Sequence, residues 1–436
     1  MSEVIWEKVY DSALEETYYR CKHPSGLEIQ VCTKPGYSSA YALFSTKYGS
    51  IDTAITHDDG SITQIPEGTA HFLEHKLFES EDLDAFARFA KTGASANAFT
   101  SFYKTAYEFS CATAEGQFAA LDENLEILLD FVQSPYFTEK TVQKEQGIIG
   151  QEIRMYLDHP GWVETMSLLQ ALYAAHPVRS DIAGTEQSIA TITAELLHEC
   201  YSNFYNLHNM ALTVAGNVTK EQVLAVADKL LKPGGVGRAA IRPRMADNDP
   251  PVQEVVRKKM AVSVPTFLLG CKEEVNKPLL TTKETVLADL VLDTLLGEAS
   301  PLYEQLMEEC LINAGFGSEL FAAEDYACTL MGGESKRPEL ASKKIKEALL
   351  RAVETGLDAG DFECARKKAY GRLLMELNDV DSVANGLCNA WLNGDDMFAR
   401  ARALREITLE QADDRLSEMF RPGYFALSII EPIEEG

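Results

Sequence analysis

The sequence predicts an α+β protein: two homologous α+β domains, each a largely antiparallel sheet packed with helices, related by internal duplication. Three observations carry this. Strand patterns followed by long helical patterns occur twice in succession. The stretch KPGGVGRAAIRPRMADNDPP, Lys232 to Pro251, is rich in Gly and Pro, has no apolar face, and reads as a linker near the midpoint. Residues 192–218 and 407–433 align without a gap at an offset of 215, matching Ile192-Thr193 with Ile407-Thr408, Glu195 with Glu410, and Ala211-Leu212 with Ala426-Leu427. The expected division is therefore 1–232, a linker at 233–251, and 252–436.

The elements follow in order. Apolar alternation predicts strands over about 27–33 and 39–48. A helix is expected over the His-rich segment after residue 67, and a second over 82–91. Strands at about 95–100 and 105–112 read as a hairpin. Helical periodicity predicts helices over about 116–133, 138–157 and 188–204. An apolar strand closes each aligned segment. The second half opens with strands within about 254–271 and continues with helices near 283–297, 336–355 and 360–377.

Composition narrows the function. There are 436 residues with 67 acidic against 40 basic side chains, a formal net charge of −27. That balance argues against nucleic acid and anionic membranes as partners, since both need a basic footprint. No apolar run approaches the ~20 residues of a membrane span. The N-terminus shows neither the basic nor the apolar region of a signal peptide, and nine Cys are scattered without a C-x-x-C pair. A cytoplasmic protein with reduced thiols is expected.

Residues 67–79 read EGTAHFLEHKLFE, in which His71, Glu74 and His75 form an H-x-x-E-H pattern. On a helix, His71 and His75 lie about 40° apart around the axis and one turn apart along it, so both rings can reach one metal. Glu74 stands beside them, where its carboxylate can face an open coordination position. Phe72, Leu73, Leu77 and Phe78 give the helix an apolar side, and Thr69 is the expected cap. A chance match is expected only about 0.01 times in a chain so poor in His. All eight His lie between positions 23 and 208, so the second half cannot repeat such a site. A two-His zinc site needs a third protein ligand. Glu145 and Glu152, seven apart, share one helix face, though charged residues on a helix are more often plain surface.

Two further segments complete a pattern. One is Gly93-Ala94-Ser95-Ala96-Asn97-Ala98-Phe99-Thr100, followed by Thr105-Ala106-Tyr107. The other is the E-x(6)-E pair Glu145/Glu152, with Glu152 77 residues past His75. With these the chain resembles the pitrilysin/insulinase family of inverted zinc metallopeptidases, which includes the mitochondrial processing peptidase. The resemblance covers both halves and is most specific in the first. It implies one Zn2+ per chain held by His71, His75 and Glu152, with Glu74 as general base. It implies that Glu145 supports His75, and that Ala96, Asn97, Ala98 and Phe99 pair with an extended peptide substrate.

One stretch departs from the family pattern. Active members carry an Arg and a Tyr in a stretch like S-R-L-x-x-x-L-R-E…G-L-A-Y. Here the stretch is Ser300-Pro301-Leu302-Tyr303-Glu304-Gln305-Leu306-Met307-Glu308, then Ala314-Gly315-Phe316. Met307 takes the Arg position and no Tyr follows at the expected place. The resemblance then implies the zinc-bearing subunit of a heterodimeric peptidase, or a homodimer, acting on short or unfolded polypeptides. The alternative is a non-catalytic scaffold subunit of the same fold.

Overall fold

The computed structural model describes residues 4–57, 59–81, 84–113, 118–231 and 245–433. The first half of the chain runs β1 (Glu7–Asp11), β2 (Glu16–Lys22), β3 (Glu28–Thr33), β4 (Ser39–Thr46), β5 (Ala54–Thr56), β6 (Ile62–Gln64), α1 (Thr69–Leu77), α2 (Ala85–Thr92), β7 (Ser95–Thr100), β8 (Thr105–Ala112), α3 (Phe118–Val132), α4 (Glu139–Leu157), α5 (Pro160–Leu172), α6 (Glu186–Ile189), α7 (Ala194–Phe204), β9 (Met210–Gly216) and α8 (Lys220–Leu230). The second half runs β10 (Val255–Met260), β11 (Thr266–Lys272), α9 (Thr282–Leu296), α10 (Pro301–Glu308), β12 (Gly317–Ala323), β13 (Tyr326–Glu334), α11 (Pro338–Thr355), α12 (Ala359–Glu376), α13 (Val380–Leu392), α14 (Ala399–Glu406), α15 (Leu409–Met419) and β14 (Phe425–Pro432).

The two main sheets share a topology. One has the order β1-β2-β3-β9-β4-β8-β7 and the other β10-β14-β11-β13-β12. The last five strands of the first correspond to all five of the second. In each, the strand that closes the half pairs in parallel with the opening strand, β9 with β3 and β14 with β10, while the remaining pairings are antiparallel. The expected duplication and α+β class are therefore both present.

The compact units do not follow the midpoint division. Unit 1 is Met1–Ile153, Asp181–Pro243 and Leu374–Phe398. Unit 2 is Arg154–Ser180, Arg244–Leu373 and Ala399–Gly436. Each sheet thus takes one helix from the other half of the sequence. The physical reason is visible in β4, where Ala40, Ala42 and Phe44 enter one apolar core while Tyr41 and Leu43 enter another on the opposite face. A strand buried on both sides needs cover on both. In unit 1, α1 and α3 contribute to the first core, and α13 covers the second face through Val380, Val383, Ala384 and Leu387. In unit 2, α5 packs on β10, β11 and β14. Gly270 permits that approach, because a Cβ there would lie 2.8 Å from a Leu172 methyl. Most of the expected linker, residues 233–244, lies outside the described residues.

The helix expected over 188–204 is two. Thr193 interrupts it as a cap, its side chain accepting from Leu196 N, and α7 starts after it. All nine Cys are free and seven are buried. No helix among the described residues is long and apolar enough to cross a membrane.

Candidate metal centre

The centre is built in unit 1 from α1, α4 and β7. Helix α1 starts from Gly68, whose φ of 89° is left-handed. A Cβ at that position would sit 2.5 Å from the Ala183 carbonyl oxygen, so glycine alone fits both the angle and the space. Thr69 is not the cap. It is the first helical residue, and its hydroxyl donates to the Pro66 carbonyl at 2.7 Å. Phe72, Leu73 and Leu77 anchor α1 in the core. That anchoring turns His71, Glu74 and His75 to a common side. His71 and Glu74 are buried and His75 is half-buried. The imidazole centroids are 4.6 Å apart.

Helix α4 is held by Val142, Ile149 and Ile153. Its Glu145 and Glu152 lie half-buried on one face, as their seven-residue spacing requires. Glu152 Oε1 stands 3.6 Å from His71 Nε2, and Glu152 Oε2 stands 3.4 Å from His75 Nε2. These gaps are long for hydrogen bonds. They match the separation of about 3.3–3.6 Å between atoms bound about 2.0–2.2 Å from one tetrahedral zinc ion. One ligand atom from each of the three residues lies within 4.8 Å of the others. The donor set, two imidazoles and a carboxylate, suits zinc and leaves one position open.

Glu145 approaches the other side of His75, with Oε1 3.1 Å from Nδ1. A carboxylate can only accept there, so Nδ1 carries the proton and Nε2 keeps its lone pair toward Glu152. Without an ion, burial disfavours the charged imidazolium, but the Glu145 bond and the charges of Glu74 and Glu152 outweigh it and hold the His75 pKa above its usual value. Lys76, fully buried and paired with Glu79, is pushed the other way by burial, to about 8.

Glu74 is fixed from β7. Thr100 Oγ1 donates to Glu74 Oε2 at 2.8 Å. In the sequence Thr100 closes the Gly93–Thr100 motif with no role of its own. Alternation along β7 was the available signal, because Ala96, Ala98 and Thr100 share one face of the strand.

The expected peptide-docking residues Ala96, Asn97, Ala98 and Phe99 all lie on β7, the edge of the seven-stranded sheet. Among the described residues β7 pairs with β8 alone. The ladder phase tells which backbone groups are free. Ser101 N donates to Lys104 O, and the register pairs Phe99 with Ala106 and Asn97 with Glu108. In an antiparallel ladder hydrogen-bonded pairs alternate with non-bonded ones. Asn97 and Phe99 therefore bond to β8, while Ala96, Ala98 and Thr100 turn their N–H and C=O groups to the open edge. Asn97 is exposed, and Phe99 packs toward the α13 core with the Lys104 ammonium 5.2 Å from its ring.

Other sequence landmarks have structural roles. His159 and His176 cap α5 and a short 3-10 turn at Pro177–Arg179. Trp162 packs on Tyr156 of α4 at 5.5 Å. Met307 is an exposed residue of α10, and Tyr303 packs on Phe316; both belong to unit 2.

Comparison with known proteins gives a consistent picture. Residues 52–186 match the insulinase family, peptidase family M16, and residues 191–369 match the peptidase M16 inactive domain. The chain is 40% identical over 415 residues to the uncharacterized zinc protease YmfH of Bacillus subtilis (strain 168), covering 93% of this chain and 94% of that protein. It is 25% identical over 393 residues to YmxG, another uncharacterized zinc protease of that organism, covering 86% of this chain and 91% of the other. The crystal structure of an M16-like peptidase from Alicyclobacillus acidocaldarius is similar at a TM-score of 0.87 and 33% identity, covering 99% of each chain. Pitrilysin, at TM-score 0.77 and 16% identity, shares the fold; the match spans 99% of this chain and 47% of pitrilysin. Two family matches in succession, and a 40% identical relative along nearly the whole length, show that this chain belongs to the insulinase (M16) family of peptidases.

Proposed function

We propose that the protein is a zinc metalloendopeptidase that hydrolyses peptide bonds in short or unfolded polypeptides. The observation that carries this reading is the meeting of His71 Nε2, His75 Nε2 and the Glu152 carboxylate around one point, with Glu74 held beside it. His71, His75 and Glu152 would hold one zinc ion. When bound, zinc supplies Lewis acidity, easing deprotonation of water and polarising a carbonyl.

The chain's own residues do the rest. Glu74 is the general base: it takes a proton from the attacking water and returns it to the leaving amine nitrogen. Glu145 keeps His75 in the tautomer that offers Nε2. The open edge of β7 accepts an extended peptide as an added strand, through the outward N–H and C=O groups of Ala96 and Ala98, with Asn97 and Phe99 on the opposite face. Backbone pairing selects extended shape more than sequence, which suits flexible substrates.

Met307 supports a second element of the reading. The family pattern has an Arg at this position as a donor to the substrate carbonyl, and a Met side chain has no proton to donate. We therefore infer that full activity needs a homologous subunit supplying that donor, in a heterodimer or a homodimer. The nine free thiols support a reducing, cytoplasmic setting. The missing donor is also the one observation that favours a non-catalytic scaffold.

Zinc content and cleavage of a quenched peptide, for wild type and Glu74→Gln, alone and with a co-expressed homologue, test the proposal. Cleavage by wild type but not by Glu74→Gln, at equal zinc, is expected. Full zinc loading without cleavage in any pairing would establish the scaffold instead.

A further inference from the structure

We propose that Thr100 is a positioning residue that gives the two oxygens of Glu74 different tasks, and that it ties this division to substrate docking on β7. The inference rests on the peptidase reading and deepens it.

A threonine hydroxyl has one proton to give. Thr105 Oγ1, 3.4 Å from Thr100 Oγ1, spends its proton on the Tyr48 carbonyl at 2.9 Å. Thr100 spends its own on Glu74 Oε2 at 2.8 Å. Oε2 is thereby held by a charge-assisted bond, and Oε1 is left to accept the proton of the attacking water. The proton that Oε1 gains from water later leaves to the amine, and throughout that cycle Oε2 remains an acceptor for Thr100. The bond therefore need not break during turnover, and it keeps the carboxylate from rotating.

Two observations make this more than a local contact. The first is the ladder phase. Thr100 and Thr105 form a non-bonded pair, so the Thr100 backbone N–H and C=O face the open edge of β7. The residue that grips the base with its side chain thus offers its main chain to the incoming strand. Pairing there would immobilise Thr100 and fix Glu74 as substrate arrives. The second is the internal duplicate. The last non-bonded pair of the β12–β13 hairpin is Ala322 and Ala327, where that of β7–β8 is Thr100 and Thr105. The half without His also lacks this hydroxyl.

Thr100→Val removes the hydroxyl while keeping shape and strand preference. We expect kcat to fall about 10- to 100-fold. KM and zinc content should stay within about twofold, and Thr100→Ser should restore most of kcat. Crystal structures of zinc-loaded wild type and Thr100→Val provide a readout independent of turnover. Glu74 Oε2 should lie within hydrogen-bond reach of Thr100 in the first, and the carboxylate should be rotated in the second. A Val variant with wild-type kcat, or with Glu74 unmoved, overturns the proposal. If wild type cleaves nothing, alone or with a co-expressed homologue, the peptidase reading fails, and the pair of structures alone decides the role of Thr100. Thr100→Ala replaces the Val variant should that fail to fold.

Discussion

Glu145 and His75, seventy positions apart in the chain, meet through a 3.1 Å contact between a carboxylate oxygen and Nδ1. The contact fixes the tautomer and leaves Nε2 pointing at Glu152, 3.4 Å away. Glu145→Gln keeps the shape but removes the charge. Loss of such a partner typically costs about 10- to 100-fold in metal affinity, and that range is expected here. The pH dependence should change as well. Metal competes with the proton on His75, whose pKa in the ion-free protein is held above its ordinary value. Zinc affinity should therefore be full well above that raised pKa and fall as pH drops through it. Without the Glu145 charge, the fall should begin at a lower pH. Competition with a chromogenic chelator between about pH 8 and 5.5 would measure both effects.

The open edge of β7 gives a separable prediction. Ala98 turns its N–H outward, so Ala98→Pro removes a donor from the open edge proposed to receive the peptide, without removing any bond to β8. The thermal midpoint should change little while KM rises about fivefold, from one lost hydrogen bond of about 1 kcal/mol. Phe99→Pro, one residue on, deletes a ladder bond and should lower stability. Equal effects of the two variants on stability would contradict the assigned phase.

Much of this centre was legible in the sequence, and the physical reasons are specific. His71, Glu74 and His75 are a local pattern on one helix, and a helix has a single geometry. Glu145 and Glu152 were legible as a pair because seven residues make two turns, but their approach to α1 is a long-range fact that spacing alone could not supply. Thr69 has the chemistry of a cap in the sequence, but the need for glycine at position 68 comes from Ala183, far along the chain. Helices α5 and α13 were not foreseen. Helix α5 buries Val163, Glu164, Met166, Ser167, Leu168 and Leu169, so it has no clean polar face to mark its period. Which sheet each helix covers is written in neither segment.

Asp247 and Lys272 form a buried pair in unit 2 that should dominate local stability. Their side chains are 4% and 1% exposed, with Nζ 2.5 Å from Oδ1. Asp247 Oδ2 also accepts from the backbone N–H groups of Ala174 and Ala175, just past α5, at 2.7 and 2.8 Å. Asp247→Ala leaves the buried ammonium without a counter-charge, held only by the Leu172 and Asp249 carbonyls, and takes the acceptor from two backbone donors, a loss of about 3–5 kcal/mol. The double variant Asp247→Ala/Lys272→Met removes the stranded charge and should recover part of that. Equilibrium denaturation of the two variants tests the ordering, and a double variant no more stable than the single one would contradict it.

Glu164 should make unit 2 less stable as pH rises. It lies buried on α5, and Thr266 Oγ1 donates to it at 2.7 Å. Burial is the main cause lifting its pKa to about 7, partly opposed by the Thr266 bond and by the Ile430 backbone. A carboxyl raised in the folded state keeps its proton there after the unfolded chain has lost it. Stability is therefore full below the unfolded value of about 4.3, declines as pH rises toward 7, and stays reduced above it. The full loss is about 4 kcal/mol. Glu164→Gln cannot ionise, so it should flatten this decline and be more stable than wild type at pH 8, yet gain nothing at pH 4. Urea denaturation of both proteins at the two pH values measures the difference. A wild type whose stability holds level from pH 4 to 8 would mean that Glu164 ionises without cost, and that water reaches it beneath α5.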